Sequence, residues 1–260
     1  MSNYTVLSYN INGYEIIHPV KARSDRAKYL MITDDPSLKD ESDTWEVIYD
    51  GDLTGSPFDR CYQIRFNPWR YTDDEVIVRV DGSIGIEANL DKLVDRFVES
   101  GCDTVLQVHP YRNIMADEYS AWITTRGYSM NMAKKNLQFM FDNGYDVWHT
   151  RGLVQYSFQV LKRNRFNLDI NRMTYALLKY LGDDETGIER IDQTVYTFLL
   201  QKFFPNANIM WVDQRIYDGR ILTHYVHHSN VQNWKIGVIG MIEPYFFDRR
   251  ITTIVTPEEL

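Results

Sequence analysis

Short apolar runs broken by turn residues organise the first half of the chain. Tyr4 to Tyr9 reads as a first strand, Lys28 to Thr33 as a second stopped by Asp34-Asp35-Pro36, and Trp45 to Tyr49 as a third stopped by Asp50-Gly51-Asp52. Glu75 to Val80 is a fourth. Leu90 to Ser100 then carries apolar residues at helical spacing (Leu90, Leu93, Val94, Phe97, Val98), closed by Gly101, and Thr104 to Val108 returns to an extended pattern. Helical spacing dominates the remainder, at Met115 to Arg126, Met130 to Asn143 with Gly144 as its cap, Leu168 to Leu181 and Ile188 to Phe204. Leu153 to Leu161 and Asn208 to Val212 read as extended. The stretch Gly182 to Gly187 is the most linker-like and is short enough for a surface loop. Strands alternating with helices predict an α/β domain on a largely parallel sheet.

Composition narrows this picture. With 260 residues and 44% hydrophobic content, one enzyme-sized domain is expected. Two cysteines, Cys61 and Cys102, make no disulfide framework and no paired metal-ligand spacing, which fits a reducing compartment. The N-terminal MSNYTVLSYN lacks a basic-then-apolar leader and no run is apolar enough to span a bilayer, so a cytoplasmic protein, bacterial or viral in a host cytoplasm, is expected. A net charge of -8 argues against a protein that coats nucleic acid. A local basic stretch remains, with Arg151, Lys162, Arg163, Arg165 and Arg172 opposed along the sequence by Asp169; a solvated charged face is the simpler explanation, a local basic groove the alternative.

Candidate chemistry collects where strands end. Asp81 follows the apolar strand EVIVRV and precedes Gly82, which puts its carboxylate at the edge where open α/β sheets bind ligands; a plain turn is the competing explanation. Tyr9 and Asn10 end the first strand and Asp34 ends the second, positions from which a ring can stack on a base and a carboxylate can accept from ribose. Arg60 and Arg65 sit about one and a half turns apart on a helix leading to Pro68. Arginine suits a diphosphate because its planar fork binds two oxygens, although salt bridges to Asp59, Asp73 or Asp74 would explain these charges too. His109 and Arg112 lie between a strand and a helix, where they could grip sugar hydroxyls. Asp117 and Glu118, one turn into that helix, already have an explanation in the helix dipole. Asp192 and Gln193 open a helical stretch, and an acid there can be a capping group and nothing more. His224, His227 and His228 offer imidazoles for manganese or zinc, or form a histidine-rich surface segment.

The pieces YTVLSYNINGYE, KYLMITDDPSL, FNPWRY, VDGSIGI, HPYRNIMADE and RIDQTVYTFLLQKFF, in that order and spacing, resemble a glycosyltransferase-like domain of plant cell-wall and mucilage proteins and of bacterial polysaccharide loci, a domain once catalogued without a function. The resemblance covers most of the chain. It implies a GT-A-like, Rossmann-type mixed sheet flanked by helices, with residues 1–110 as the nucleotide-sugar half and a helical acceptor half over residues 111–260. On this basis Tyr9, Asn10, Asp34, Arg65, Asp81 and Ser83 would bind the donor; His109, Arg112 and Gln193 the sugar or acceptor. Asp192 would be the catalytic base, or orient the sugar in a retaining enzyme. Asp81, His224 and His227 would hold a divalent cation, Mn2+ or Mg2+. The histidine segment, with Asn233, Trp234 and Lys235 after it, is similar to the C-terminal region that such enzymes fold over the diphosphate. Ser83 stands where the fold's motif usually has a second acid, which weakens the case for tight metal binding.

The expected function is therefore transfer of a sugar from a nucleotide donor, UDP-linked in the first instance, to a hydroxyl of a glycan or of a hydroxymethylated base in DNA. Two alternatives stand beside it. One is a nucleotide-sugar or glycan-binding module that kept the fold without the chemistry. The other is a metal hydrolase built on the three histidines, which lacks a spaced acid-histidine motif.

Overall fold

A computed structural model describes residues 3–109, 112–126, 128–182 and 192–212, together with the backbone of two short strands at 223–225 and 253–255. In chain order the strands are β1 (Tyr4–Asn10), β2 (Ala27–Thr33), β3 (Glu46–Tyr49), β4 (Val76–Val80), β5 (Ile84–Ile86), β6 (Thr104–Val108), β7 (Val154–Lys162), β8 (Ile209–Val212), β9 (Thr223–Tyr225) and β10 (Thr253–Val255). The helices are α1 (Pro57–Phe66), α2 (Asp91–Ser100), α3 (Met115–Arg126), α4 (Met130–Asp142), α5 (Arg165–Leu181) and α6 (Asp192–Phe203). Strand ends agree with the apolar pattern to within a residue or so. The largest difference is at α5, which begins about one turn before the apolar stripe because the Asn164 side chain accepts from the Asn167 N–H and starts the helix there. Gly101 closes α2 in the left-handed region at φ 67°, a conformation a residue without Cβ adopts at little cost. The linker-like residues 183–187 and the expected first turn at Ile188 lie outside the described residues.

Eight strands form one sheet in the order β10-β8-β6-β7-β4-β1-β2-β3. All neighbours are parallel except β7, which runs antiparallel to both β4 and β6. The expected α/β mixed sheet is therefore present. Among the described residues after 110, helices α3 to α6 alternate with β7, β8 and β10, which enter the same sheet, and β7 joins β4 to β6.

Alternation along β4 sorts its side chains: Val76, Val78 and Val80 pack with the apolar side of α2, whereas Ile77 packs beneath α1 on the opposite face. Arg79 and Asp81 continue the Ile77 series, towards α1. That face also carries α5 and α6, whose Ile170, Leu178, Val195, Tyr196 and Phe198 form one core with Tyr62 and Phe66 of α1 and with Tyr156 of β7. The α2 face mixes aliphatic residues with Tyr4, Tyr29, Trp45, Phe97 and Phe158, and the opposite face is thick and rich in aromatic residues.

No helix among the described residues is long and apolar enough to cross a membrane. The basic stretch is largely paired: Lys162 with Glu75 at 3.4 Å, Arg163 with Asp73 at 3.8 Å, and both Arg165 and Arg172 with Asp169 at 3.4 Å. The strand-end acids Asp73 and Glu75, distant in sequence, supply the opposing charge. This is the solvated charged face, not a basic groove.

Candidate active site

From β1 the chain moves outward to β2 and β3 and then returns across β1 to β4 on its other side. That reversal opens a crevice at the carboxyl ends of β1 and β4, the place where open α/β sheets receive ligands. Asp81 sits there in a tight turn: its N–H donates to the Ser157 carbonyl at 2.9 Å and its carbonyl accepts from the Ile84 N–H at 2.9 Å. A Cβ on Gly82 would collide with the Tyr9 carbonyl, so the missing side chain lets the ends of β1 and β4 touch.

Arg65 joins these ends to α6. Ser56 caps α1 by accepting from the Asp59 N–H at 3.2 Å, and Pro57 occupies its first turn. The register so set turns Tyr62, Ile64, Arg65 and Phe66 inward. Only 7% of Arg65 is exposed. Its Nη2 contacts Asp81 Oδ1, its Nη1 contacts Asp192 Oδ2, and its Nε donates to the Tyr9 hydroxyl at 3.0 Å. The Tyr9 hydroxyl in turn donates to Asp81 Oδ1 at 2.7 Å. The guanidinium also lies 5.4 Å from the ring centre of Tyr156 and 5.7 Å from that of Tyr9. One buried cation therefore bridges two carboxylates from elements far apart in sequence.

The electrostatics follow from that bridge. Burial pushes the Tyr9 hydroxyl well above its ordinary range; Arg65 opposes the shift and Asp81 adds to it, so Tyr9 is a neutral donor. Burial, the largest single influence, lowers Arg65, but Asp81 together with Tyr9, Tyr62 and Tyr156 outweighs it and the guanidinium titrates above its usual value. Beneath it lies a second cation, Arg79, fully buried on β4. Its Nη2 donates to the Tyr156 carbonyl at 3.0 Å and its guanidinium sits 4.2 Å from the Tyr156 ring centre, while Nε and Nη1 make no hydrogen bond.

A second polar cluster lies one residue along α6. Glu118, 2% exposed, accepts from Trp122 Nε1 at 2.6 Å and also from Arg112 Nε and Gln193 Nε2. His109 follows β6; its Nδ1 accepts from the Arg112 N–H at 3.0 Å and its Nε2 lies 3.6 Å from Glu118 Oε2. Burial, reinforced by the Arg112 charge, holds His109 well below its ordinary value, so its ring is neutral near pH 7; its Nε2 also lies 3.2 Å from Arg112 Nη2. Asp192 and Gln193 are adjacent in sequence, and through them the start of α6 touches both clusters.

The structure thus brings together Tyr9, Arg65, Asp81 and Asp192, and beside them His109, Arg112 and Gln193. Arg65 pairs with none of Asp59, Asp73 or Asp74. Other expected residues are placed differently. Asn10 spends its amide on the main chain of Glu15, donating to its carbonyl at 2.5 Å and accepting from its N–H at 3.3 Å, and so braces the loop after β1. Asp34 closes the same loop, accepting from the Asn12 N–H at 2.8 Å and pairing with Arg60. Arg70 is tied to Asp50 at 3.0 Å. Ser83 is buried within the Asp81 turn. Pairing of β5 with β9 sets the backbone of His224 opposite Gly85, next to that turn; His227, His228, Asn233, Trp234 and Lys235 lie outside the described residues. No group of three or more His, Cys, Asp or Glu residues that could hold a metal occurs among the described residues.

Three members of the site were not anticipated. Glu118 stands in the first turn of α3, where the helix dipole alone accounts for an acid, so nothing in the sequence marks it. Arg79 did leave a signal, being a charge inside the apolar strand VIVRV, and such a position demands partners. Tyr156 left none, since an aromatic residue in a central strand is ordinary.

Compared with known proteins, the chain matches no family model and no curated protein.

Proposed function

We propose that the chain is a nucleotide-sugar-dependent glycosyltransferase acting on a hydroxyl of a glycan, with a GT-A-like donor half and the start of α6 as its catalytic edge. The observation that carries this reading is the Arg65 bridge: a buried guanidinium at the switch-point crevice, held between Asp81 at the end of β4 and Asp192 at the first turn of α6. A leaving diphosphate needs a bidentate cation in that place, and a hydroxyl nucleophile needs a carboxylate across from it.

The chemistry is an exchange of partners. A donor diphosphate competes for the Arg65 fork, and as Arg65 turns to it, Asp192 loses its cation. In an inverting transfer the acceptor oxygen then bonds to the anomeric carbon while the anomeric carbon–phosphate oxygen bond breaks. The diphosphate keeps that electron pair, and the hydroxyl proton passes to Asp192. Tyr9, held neutral by burial, donates a hydrogen bond at this edge. For a hard cation the described donors are Asp81 Oδ2, which no described side chain engages, and the Ser83 hydroxyl in the same turn. A bound Mn2+ or Mg2+ would neutralise charge on the leaving diphosphate. This donor set fits a cation that is completed by the diphosphate itself.

The test is release of UDP from a panel of UDP-sugars with MnCl2 present, for the wild type and for Asp81→Asn and Asp192→Asn. The wild type should turn over at least one donor, Asp192→Asn should bind it without turnover, and both variants should remain folded. Binding without any hydrolysis or transfer by the wild type would make the chain a binding module. Binding of no nucleoside diphosphate at all would end the glycosyltransferase reading.

A further inference from the structure

We infer that Glu118 is a positioning residue that sets the polarity of the acceptor end of the site, so that the start of α6 receives the hydroxyls of a neutral sugar in preference to an anionic group. This rests on the glycosyltransferase reading and adds the acceptor's chemical class to it.

The indole N–H of Trp122 and the guanidinium of Arg112 only donate, and both meet the Glu118 carboxylate, which only accepts. The Gln193 side chain has one of each function and could face Glu118 either way. The carboxylate admits only its NH2 group, so the Gln193 carbonyl oxygen is turned away from Glu118. Asp192, the preceding residue, is acceptor-only as well. Two consecutive residues on the first turn of α6 are thereby fixed as acceptors, and a sugar hydroxyl is the donor that matches them.

Charge points the same way. A bare helix N-terminus attracts anions, but Asp192 stands on this one and Glu118 lies behind it. Arg112 is already paired with Glu118, and with donor bound Arg65 is taken by the diphosphate, which leaves Asp192 without its cation. His109 is neutral and adds no positive charge. A uronate or phosphate at this edge would therefore meet carboxylates and find each neighbouring guanidinium engaged, whereas a neutral diol would donate to both acceptors.

The experiment is saturation-transfer NMR on the full chain with UDP and MnCl2, using methyl β-D-glucopyranoside, methyl β-D-galactopyranoside and methyl β-D-glucuronide as probes. At least one neutral glycoside should bind and the glucuronide should not. Glu118→Gln, nearly isosteric but able to donate, lets Gln193 reverse, and should weaken the neutral glycoside about tenfold while leaving UDP affinity within about twofold. Gln193→Leu removes the carbonyl oxygen while Arg112 and Trp122 still hold Glu118, and should give the same loss, which keeps the inference testable if Glu118→Gln fails to fold. Glucuronide binding as well as the neutral probes, absence of any neutral binding to a protein that binds UDP, or unchanged glycoside affinity in both variants would overturn it. Failure of the wild type to bind UDP is the separate result that sinks the underlying reading.

Discussion

The two polar clusters at the mouth of α6 are built from similar residues and behave differently. Around Arg65 one guanidinium is shared between two carboxylates, and its alternatives lie close together. Around Glu118 the relation is inverted: one carboxylate collects donors from the β6–α3 segment, from α3 itself and from α6. A shared cation can change partners when a diphosphate arrives, because each carboxylate it leaves can find another cation or a proton. A carboxylate saturated by three separate elements cannot leave any of them without stranding a buried donor. The first cluster suits exchange and the second suits a scaffold, although Asp192 and Gln193 tie them to the same helical turn.

The sharpest way to break this contrast is Arg65→Ala, which leaves Asp81 and Asp192 as buried or half-buried carboxylates without their cation. It should cost about 3–5 kcal/mol of stability in urea denaturation and abolish any stabilisation by UDP. A near-neutral result would mean that the bridge is not a structural centre. Next in size is Gly82→Ala, whose Cβ would meet the Tyr9 carbonyl; forcing the ends of β1 and β4 apart should cost about 2 kcal/mol and weaken UDP binding, leaving the Glu118 cluster unaffected. Asp192→Asn should act in the opposite direction on binding. It removes one competitor for Arg65, so UDP without metal should bind about tenfold tighter by calorimetry, about 1.4 kcal/mol. Weaker binding would refute the exchange of partners.

The smallest effect belongs to His109. Its native proton affinity is depressed, so below about pH 6.5 the unfolded chain binds a proton that the folded chain does not, and stability falls as pH falls from there towards the native value. The slope cannot exceed about 1.4 kcal/mol per pH unit for one group. Replacing it by glutamine should flatten that part of the stability–pH curve. An unchanged curve would show that His109 is not held neutral by the second cluster.

Much of the sheet was legible from the chain because its signals are local. Strands β1 to β4 are short apolar runs ended by Asp, Gly and Pro, and the stripes of α2 to α4 have the spacing of one buried face. Asp81 and Asp192 were legible as candidates for the same reason, each marking the start or end of an element. Arg65 was legible as a basic residue on a helix, but its partners were not. Sixteen residues separate it from Asp81, and its second partner lies on another helix, so nothing within a sequence window could choose Asp81 and Asp192 over Asp59, Asp73 or Asp74. Asn10 ends a strand as expected, but its hydrogen bonds to the main chain of Glu15 were not legible from the chain.

By itself, then, the sequence determined which segments are strands and helices, and that acids and an arginine stand at their ends, since periodicity and turn chemistry act over a few residues. The tertiary structure alone decided that β7 lies between β4 and β6, that Arg65 bridges Asp81 and Asp192, and that Glu118 orients Gln193. Those outcomes depend on which distant elements share a face of the sheet, and on the need of every buried charge to find its partner there.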